Sequence, residues 1–245
     1  MEITLKKNET VADLQRKGYK IIQSSDGFCF GMDAVLLSGI VEADNGETVV
    51  DLGTGTGILP ILIEAKTNAS KLYGLEIQKD SVDMARRSVE MNDLESKIEI
   101  VEGDIKEAST ILGKAMADIV VTNPPYMEKG TGLSNPESAK AIARHEVFCT
   151  LEDVIREAAA LLKPKGKFYM INRPRRLADS IELMKKYKVE PKSIRIIYPF
   201  VDKEANLFLI EGARGMKPML KVKEPLIVYE DENKYTEEVL DIYGR

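Results

Sequence analysis

The sequence predicts an α/β protein built on a doubly wound, mostly parallel sheet. Three observations carry this reading. Short apolar strand patterns alternate with helical patterns over about 160 residues, the signature of repeated βαβ units. A run of glycines follows Thr48–Leu52 directly, as in a tight strand-to-helix turn. The last two strands of the run, near 193–199 and 206–211, have no long helix between them and predict an antiparallel closing hairpin.

Residues 19–30 read as two short strands around a Ser-Asp-Gly turn. Asp33–Val41 is apolar at helical spacing, with Asp33 as the expected N-cap. Thr48–Leu52 is a buried strand. Ile58–Lys66 is a helix that tolerates Pro60 in its first turn. Lys71–Ile77 is a strand, Lys79–Asn92 an amphipathic helix, and Lys97–Asp104 an alternating strand. Ala117–Tyr126 is a strand that runs into a Pro-Pro stop. The polar stretch 127–146 exceeds ordinary connection lengths, and such loops are functional or disordered. Leu151–Lys163 reads as a helix closed by Pro164 and Gly166. The strand Lys167–Asn172, a helix near 176–188, a strand-like Pro225–Tyr229 and a short helix over Thr236–Tyr243 complete the pattern. We read one domain, with an N-terminal hairpin-and-helix extension over 1–45, a core over 46–215 and a tail over 216–245.

Composition narrows the function classes. The chain has 245 residues, 44% hydrophobic and 31% charged, with a net charge of −5. No apolar run approaches the roughly 18 residues of a membrane span, and no apolar leader is visible at the start. The two cysteines, Cys29 and Cys149, are far apart, so a disulfide framework is excluded and the expected compartment is the cytoplasm. With one histidine, His145, a structural zinc site has too few soft ligands, and no metal is expected. Charge is uneven: Lys163–Arg195 carries eleven basic and three acidic residues, a net of +8, which leaves −13 for the rest. That segment is either a footprint for a polyanion or a set of solvated helix faces.

The segment Asp51-Leu52-Gly53-Thr54-Gly55-Thr56-Gly57 places three alternating glycines between a strand and a helix. Such a turn lets a ligand approach the backbone, and the following helix offers unpaired N–H groups. The spacing G-x-G-x-G differs from the nicotinamide fingerprint, and no Gly-Lys-Ser/Thr of a P-loop follows. Asp51 does not suit a pyrophosphate; it suits a cationic or zwitterionic ligand, and S-adenosylmethionine is both. Glu76, at the end of the next strand, is placed to accept bonds from ribose hydroxyls. The segment resembles motif I of class I S-adenosylmethionine-dependent methyltransferases. That resemblance implies a donor site made by Asp51, Gly53, Thr54, Gly55, Gly57, Glu76, Ile77, Asp104, Ile105 and Asn123, with Asp104 facing the adenine ring. The competing reading of Asp104 is a helix N-cap before Ile105.

Asn123-Pro124-Pro125-Tyr126 follows the fourth core strand, where ligands of open α/β sheets sit. The prolines fix the backbone and keep their carbonyls as acceptors. The Asn123 side chain adds another acceptor, and Tyr126 adds an aromatic face. This set suits a conjugated exocyclic amine, whose delocalised lone pair makes it a poor nucleophile. Acceptors gripping both N–H bonds hold the lone pair toward a methyl donor, and the rest is alignment. The sulfonium loses its charge as the bond breaks, so the step calls for no metal. The loop is the motif of amino methyltransferases acting on planar nitrogen: adenine N6, other nucleobase amines, or glutamine side-chain amides.

Three readings compete for the amine. Release-factor glutamine enzymes bring a larger helical domain before the glycine loop, DNA adenine enzymes add a target-recognition domain, and ribosomal guanine enzymes often duplicate the domain. A binding module that keeps the donor pocket without transfer is the non-enzyme alternative; the intact Asn-Pro-Pro-Tyr loop speaks against it. Over nearly its full length the chain resembles the bacterial tRNA1(Val) adenine N6-methyltransferases. The residues that carry this are Asp26–Leu37, the glycine loop, the Asn-Pro-Pro-Tyr loop, Ala143-Arg144-His145-Glu146 and the tail with Pro225–Tyr229. The resemblance implies a Rossmann-like sheet of seven strands, a tRNA anticodon loop as partner, and a monomer or dimer. It also implies that Phe30 to Asp33 closes over donor or base, where a plain hairpin under the sheet is the alternative. Arg144 would meet phosphate. His145 would contact a base or merely start a surface helix. Arg173, Arg175 and Arg176 would be the best-placed part of the basic segment, while lysines around 185–188 face solvent.

Overall fold

The computed structural model describes residues 4–24, 31–124, 149–232 and 234–245. The core strands are β3 (Thr48–Leu52), β4 (Lys71–Glu76), β5 (Ile98–Glu102), β6 (Ala117–Thr122), β7 (Leu162–Asn172), β8 (Val189–Tyr198) and β9 (Leu207–Arg214). Their order across the sheet is β8-β9-β7-β6-β3-β4-β5. β9 is antiparallel to both neighbours, and the pairings among β7, β6, β3, β4 and β5 are parallel. The expected closing hairpin is therefore β8–β9. Two two-residue strands, β10 (Lys221–Val222) and β11 (Leu226–Ile227), add to the outer edge of β8 and bring the sheet to nine.

Alternation along each strand divides the interior into two cores. Val49, Ile119, Val121, Tyr169, Ile171 and Leu209 pack on one face, under helices α1 (Met32–Ser38), α2 (Ile58–Lys66) and α3 (Lys79–Met91). Val50, Leu52, Val120, Phe168, Met170 and Phe208 pack on the other, with the short helix α4 (Ala108–Ile111) and helices α5 (Leu151–Leu161) and α6 (Leu177–Lys186). Both faces are covered, which is why these strands read as nearly continuous apolar runs. Thr150 starts α5 with a capping box: its hydroxyl accepts from the Asp153 N–H at 3.1 Å, and Asp153 accepts from the Thr150 N–H at 3.0 Å.

One strand is added to the sequence reading, and three expectations change. The described partner of β2 (Lys20–Ser24) is an upstream strand, β1 (Glu9–Asp13); residues 25–30, the expected second strand, lie outside the described residues. This hairpin docks on α3, where Arg87 holds Glu9 at 2.6 Å and Asp83 at 2.7 Å. The helix α1 begins at Met32 with Gly31 in the cap position, and the Asp33 carboxylate, inside the first turn, accepts from the Ala34 N–H at 3.1 Å. The helix α5 ends at Leu161, two residues early. Lys163–Gly166 belongs to β7 as a bulge against β6, with Lys165 at φ 69°, so Pro164 interrupts a ladder instead of ending a helix.

The tail crosses the molecule. After β11 come a small hairpin, β12 (Tyr229–Asp231) and β13 (Lys234–Tyr235), and helix α7 (Glu237–Tyr243), which lies against α1. Phe200, Tyr229, Tyr235 and Tyr243 stack in sequence with centroids 5.3, 5.1 and 5.4 Å apart. Arg16 donates to the Asp241 and Ile242 carbonyls at the end of α7. No helix among the described residues is long and apolar enough to cross a membrane.

Candidate functional site

Strand order reverses between β6 and β3, and the crevice beyond their carboxyl ends is the expected ligand position in such sheets. Leu52 is in register with Leu75 and Thr122, and Glu76 with Glu102. Gly53, Ile77, Asp104 and Asn123 therefore leave four strand ends on one rim. Gly53, Gly55 and Gly57 have φ of 79°, 56° and 86°, the left-handed region that only glycine enters cheaply. A Cβ on Gly55 would project into open space, and one on Gly53 would lie 3.5 Å from Ile105 Cδ1. The loop therefore presents bare backbone to a ligand.

Its position is fixed by strand β4. The Gly53 and Thr54 N–H groups both donate to the Leu75 carbonyl, at 2.9 and 3.0 Å. Glu76 accepts from the Gly55 N–H at 2.9 Å, and from Ile77 and Gln78 at 3.0 and 2.9 Å. The carboxylate expected to meet ribose thus also braces the glycine loop; a carboxylate has about four acceptor positions, so capacity for a hydroxyl remains. Asp104 accepts from the Lys106 N–H at 2.9 Å and caps the 3₁₀ turn Ile105–Glu107, the competing reading given above. Ile77, just past the end of β4, is exposed, and Ile105, whose side chain reaches toward Gly53, is half-buried; both are apolar side chains on this rim.

Asp51 is 1% exposed. Both its carboxylate oxygens, and the Thr54 hydroxyl, are buried without a hydrogen-bond partner among the described residues. Burial, reinforced by the nearby Glu76 carboxylate, pushes the Asp51 acid up to about 7; the Thr54 hydroxyl, close by but outside hydrogen-bond geometry, offsets this only in part. Orphaned acceptors of this kind are costly unless a ligand donor reaches them. They fit the ammonium of an amino acid, as in S-adenosylmethionine.

Thr122 was not singled out by the sequence. Its hydroxyl, wholly buried, donates to the Leu52 carbonyl at 2.9 Å and ties the last residue of β6 to the residue before Gly53. The signal for it was a polar residue ending an apolar strand. Asn123 is half-buried and Pro124 buried, next to that link. Pro125 and Tyr126, like Phe30, Arg144 and His145, lie outside the described residues.

The basic segment divides. Lys163 pairs with Asp118 at 2.7 Å and Lys167 with Glu42 at 3.3 Å, toward the amino ends of β6 and β7, away from the rim that carries the glycine loop. Lys186 pairs with Glu152, and Arg195 with Glu238. The eleven cations therefore do not form one surface. Arg173, Arg175 and Arg176 follow the carboxyl end of β7 in a short 3₁₀ turn, on the rim with Asn123. There an open groove of about 430 Å³ is lined by Arg173, Pro174, Arg175, Ala205 and Asn206. A groove of about 660 Å³ between Lys17, Asn45, Ser70 and Lys97 lies at the amino ends of β3 to β5, away from this rim. No group of three or more His, Cys, Asp or Glu among the described residues is placed to hold a metal ion.

Comparison with known proteins agrees with this geometry. The methyltransferase small domain family model matches residues 24–190. A tRNA1(Val) (adenine(37)-N6)-methyltransferase of Porphyromonas gingivalis is 27% identical over 201 residues, 80% of this chain and 78% of that protein. One from Tolumonas auensis is 26% identical over 91% of this chain and 92% of its own length. Among solved structures, a predicted O-methyltransferase from Agrobacterium tumefaciens superposes with a TM-score of 0.70 at 25% identity, covering 86% of this chain and 95% of its own. Both the glycine loop and the strand end that carries Asn123 fall inside the matched segment, and the chain belongs to the methyltransferase small domain family.

Proposed function

We propose that this protein transfers the methyl group of S-adenosylmethionine to the exocyclic N6 of an adenine in tRNA, beside the anticodon. The observation that carries the reading is the juxtaposition, at the sheet's switch point, of an unpaired buried acid beneath a glycine loop and an Asn-Pro-Pro sequence at the next strand end. Relatives named for this reaction over four-fifths or more of the chain support the choice of amine.

S-adenosylmethionine supplies an electrophilic methyl on a sulfonium. Asp51 and Thr54 would take its ammonium, the Gly53–Gly57 turn would back its chain, and Ile77 and Ile105 would flank its adenine, with Glu76 and Asp104 at the rim. The Asn123 side-chain carbonyl and the Pro124 carbonyl would accept the two N–H bonds of the target amine. Held there, the amine keeps its lone pair out of ring conjugation and in line with the methyl carbon. Tyr126 would stack on the base, and Arg144, Arg173, Arg175 and Arg176 would meet phosphates. The whole chain, extension and tail included, would act as one methyltransferase unit in the cytoplasm.

The test is transfer of labelled methyl to unmodified total tRNA, followed by mass spectrometry of the digested nucleosides. N6-methyladenosine is the expected product. Incorporation into release-factor protein in its place would move the acceptor to a glutamine amide and leave the donor site standing.

A further inference from the structure

The groove beside Arg173 has a feature that phosphate binding does not use. Asn206 precedes β9, so it stands at the same rim as Asn172 and Arg173. Its backbone is pinned: the N–H donates to the Ile197 carbonyl at 3.1 Å, and its carbonyl accepts from Arg173 at 3.1 Å. Its side-chain carbonyl oxygen is buried and has no hydrogen-bond partner among the described residues. An acceptor left unpaired in the interior is costly. The terminal torsion of asparagine is soft, so the amide can turn that oxygen into the groove at little expense.

The amide then offers an acceptor and a donor side by side, in a groove whose lining also includes Arg173 and Arg175. That combination matches a nucleotide: an anionic phosphate for the guanidinium groups, and a base edge for the amide. Adenine, with its N6 amino donor adjacent to the N7 acceptor, is the edge that an asparagine amide fits in two bonds.

Resting on the function proposed above, we propose that the groove formed by Arg173, Pro174, Arg175, Ala205 and Asn206 is a second nucleotide subsite, in which Asn206 reads the base that flanks the methylated adenine. Asn206 is here a specificity-determining residue and takes no part in transfer. Adenine is the preferred flanking base.

The experiment uses synthetic anticodon stem-loops that keep the target adenine and carry A, G, C or U at each neighbouring position. The wild-type protein is expected to prefer adenine at one flanking position by about tenfold in kcat/KM, the discrimination typical of a two-bond contact. Asn206→Ala should erase that preference while leaving S-adenosylmethionine affinity unchanged, which also reports that the variant is folded. Asn206→Asp, an acceptor only, should shift preference toward cytosine, whose N4 amine is a donor. Equal rates on all flanking bases with wild type, or an unchanged preference in Asn206→Ala, overturns the subsite and leaves the adenine reading intact. Methylation of none of the stem-loops overturns the adenine reading and the subsite together.

Discussion

Two residues at the switch point carry separable consequences. Asn123 stands at the acceptor side of the crevice, and the donor loop is braced independently by Leu75 and Glu76. Asn123→Ala should therefore leave S-adenosylmethionine binding within about twofold and reduce kcat by about 100-fold, the scale of losing one positioned transition-state contact. Calorimetric titration and single-turnover rates check the two halves, and equal loss of both would place Asn123 in the donor site alone. Asp51 makes a pH prediction. In the unfolded chain it titrates as an ordinary carboxylate; in the fold its acid is raised to about 7. The folded state thus holds the proton more tightly, and stability from this group falls as pH rises toward and through 7. Ligand affinity has the opposite sense, because an ammonium prefers the ionised acid. Affinity should rise between about pH 5.5 and 7, where an α-amino group of pKa about 7.7–8.0 is still mostly protonated, with proton release on binding. Asp51→Asn should flatten that slope; a slope that survives would assign the proton to another group.

Elements were legible where apolar periodicity was long, and less so where partners decide. The helices α2, α3, α6 and α7, and the strands β3 to β6, stand within a few residues of their sequence readings, since each presents a covered apolar face. The glycine loop, Asn123 and the placement of Arg173 beyond β7 were also legible, because strand ends follow from strand positions. Burial-dependent facts were not. The sequence placed Asp51 next to a ligand and could not say that its carboxylate lacks a partner; Glu76 as a brace, Thr122 as a tie and Asn206 at the rim all need tertiary neighbours. The strand β1 was not read from the sequence because it has little apolar content and is fixed by charge. Arg87 draws the Glu9 carboxylate below its usual range, Lys6 and then Arg87 do the same to Asp83, and Arg87, between the two acids, clips β1–β2 to α3. Arg87→Ala should raise amide exchange across residues 9–24 at least tenfold while β3 to β9 stay protected; protection lost everywhere would mean the hairpin unfolds with the core. Acid should act like that substitution, since stability from a depressed carboxylate is lost as pH falls through its folded value.

At the scale of the molecule, the sheet and its tail are one object. Leu226, Val228 and Val239 are buried in the same core as Leu14, Ile21, Val35 and Tyr169. The four-ring stack runs from Phe200 at the rim to Tyr243 on α7. Removing residues 225–245 takes away several buried apolar side chains at once, each worth about 2–5 kcal/mol when deleted from a core. The truncated chain should lose its cooperative thermal transition or lower Tm by well over 10 °C, and should expose surface that binds a hydrophobic dye. An unshifted Tm would show that the tail rests on the core without supporting it.

The clasp between Arg16 and the carbonyls of Asp241 and Ile242 joins residues 225 and 226 positions apart. During synthesis Ile21 and Val35 are made long before Val228 and Val239, which cover them. At roughly 5–20 residues per second, Ile21 and Val35 wait about ten seconds or longer in the cell before Val228 and Val239 emerge to seal them. Through that interval the nascent chain carries an open apolar flank, and the yield of folded protein follows the pace at which residues 225–245 are made.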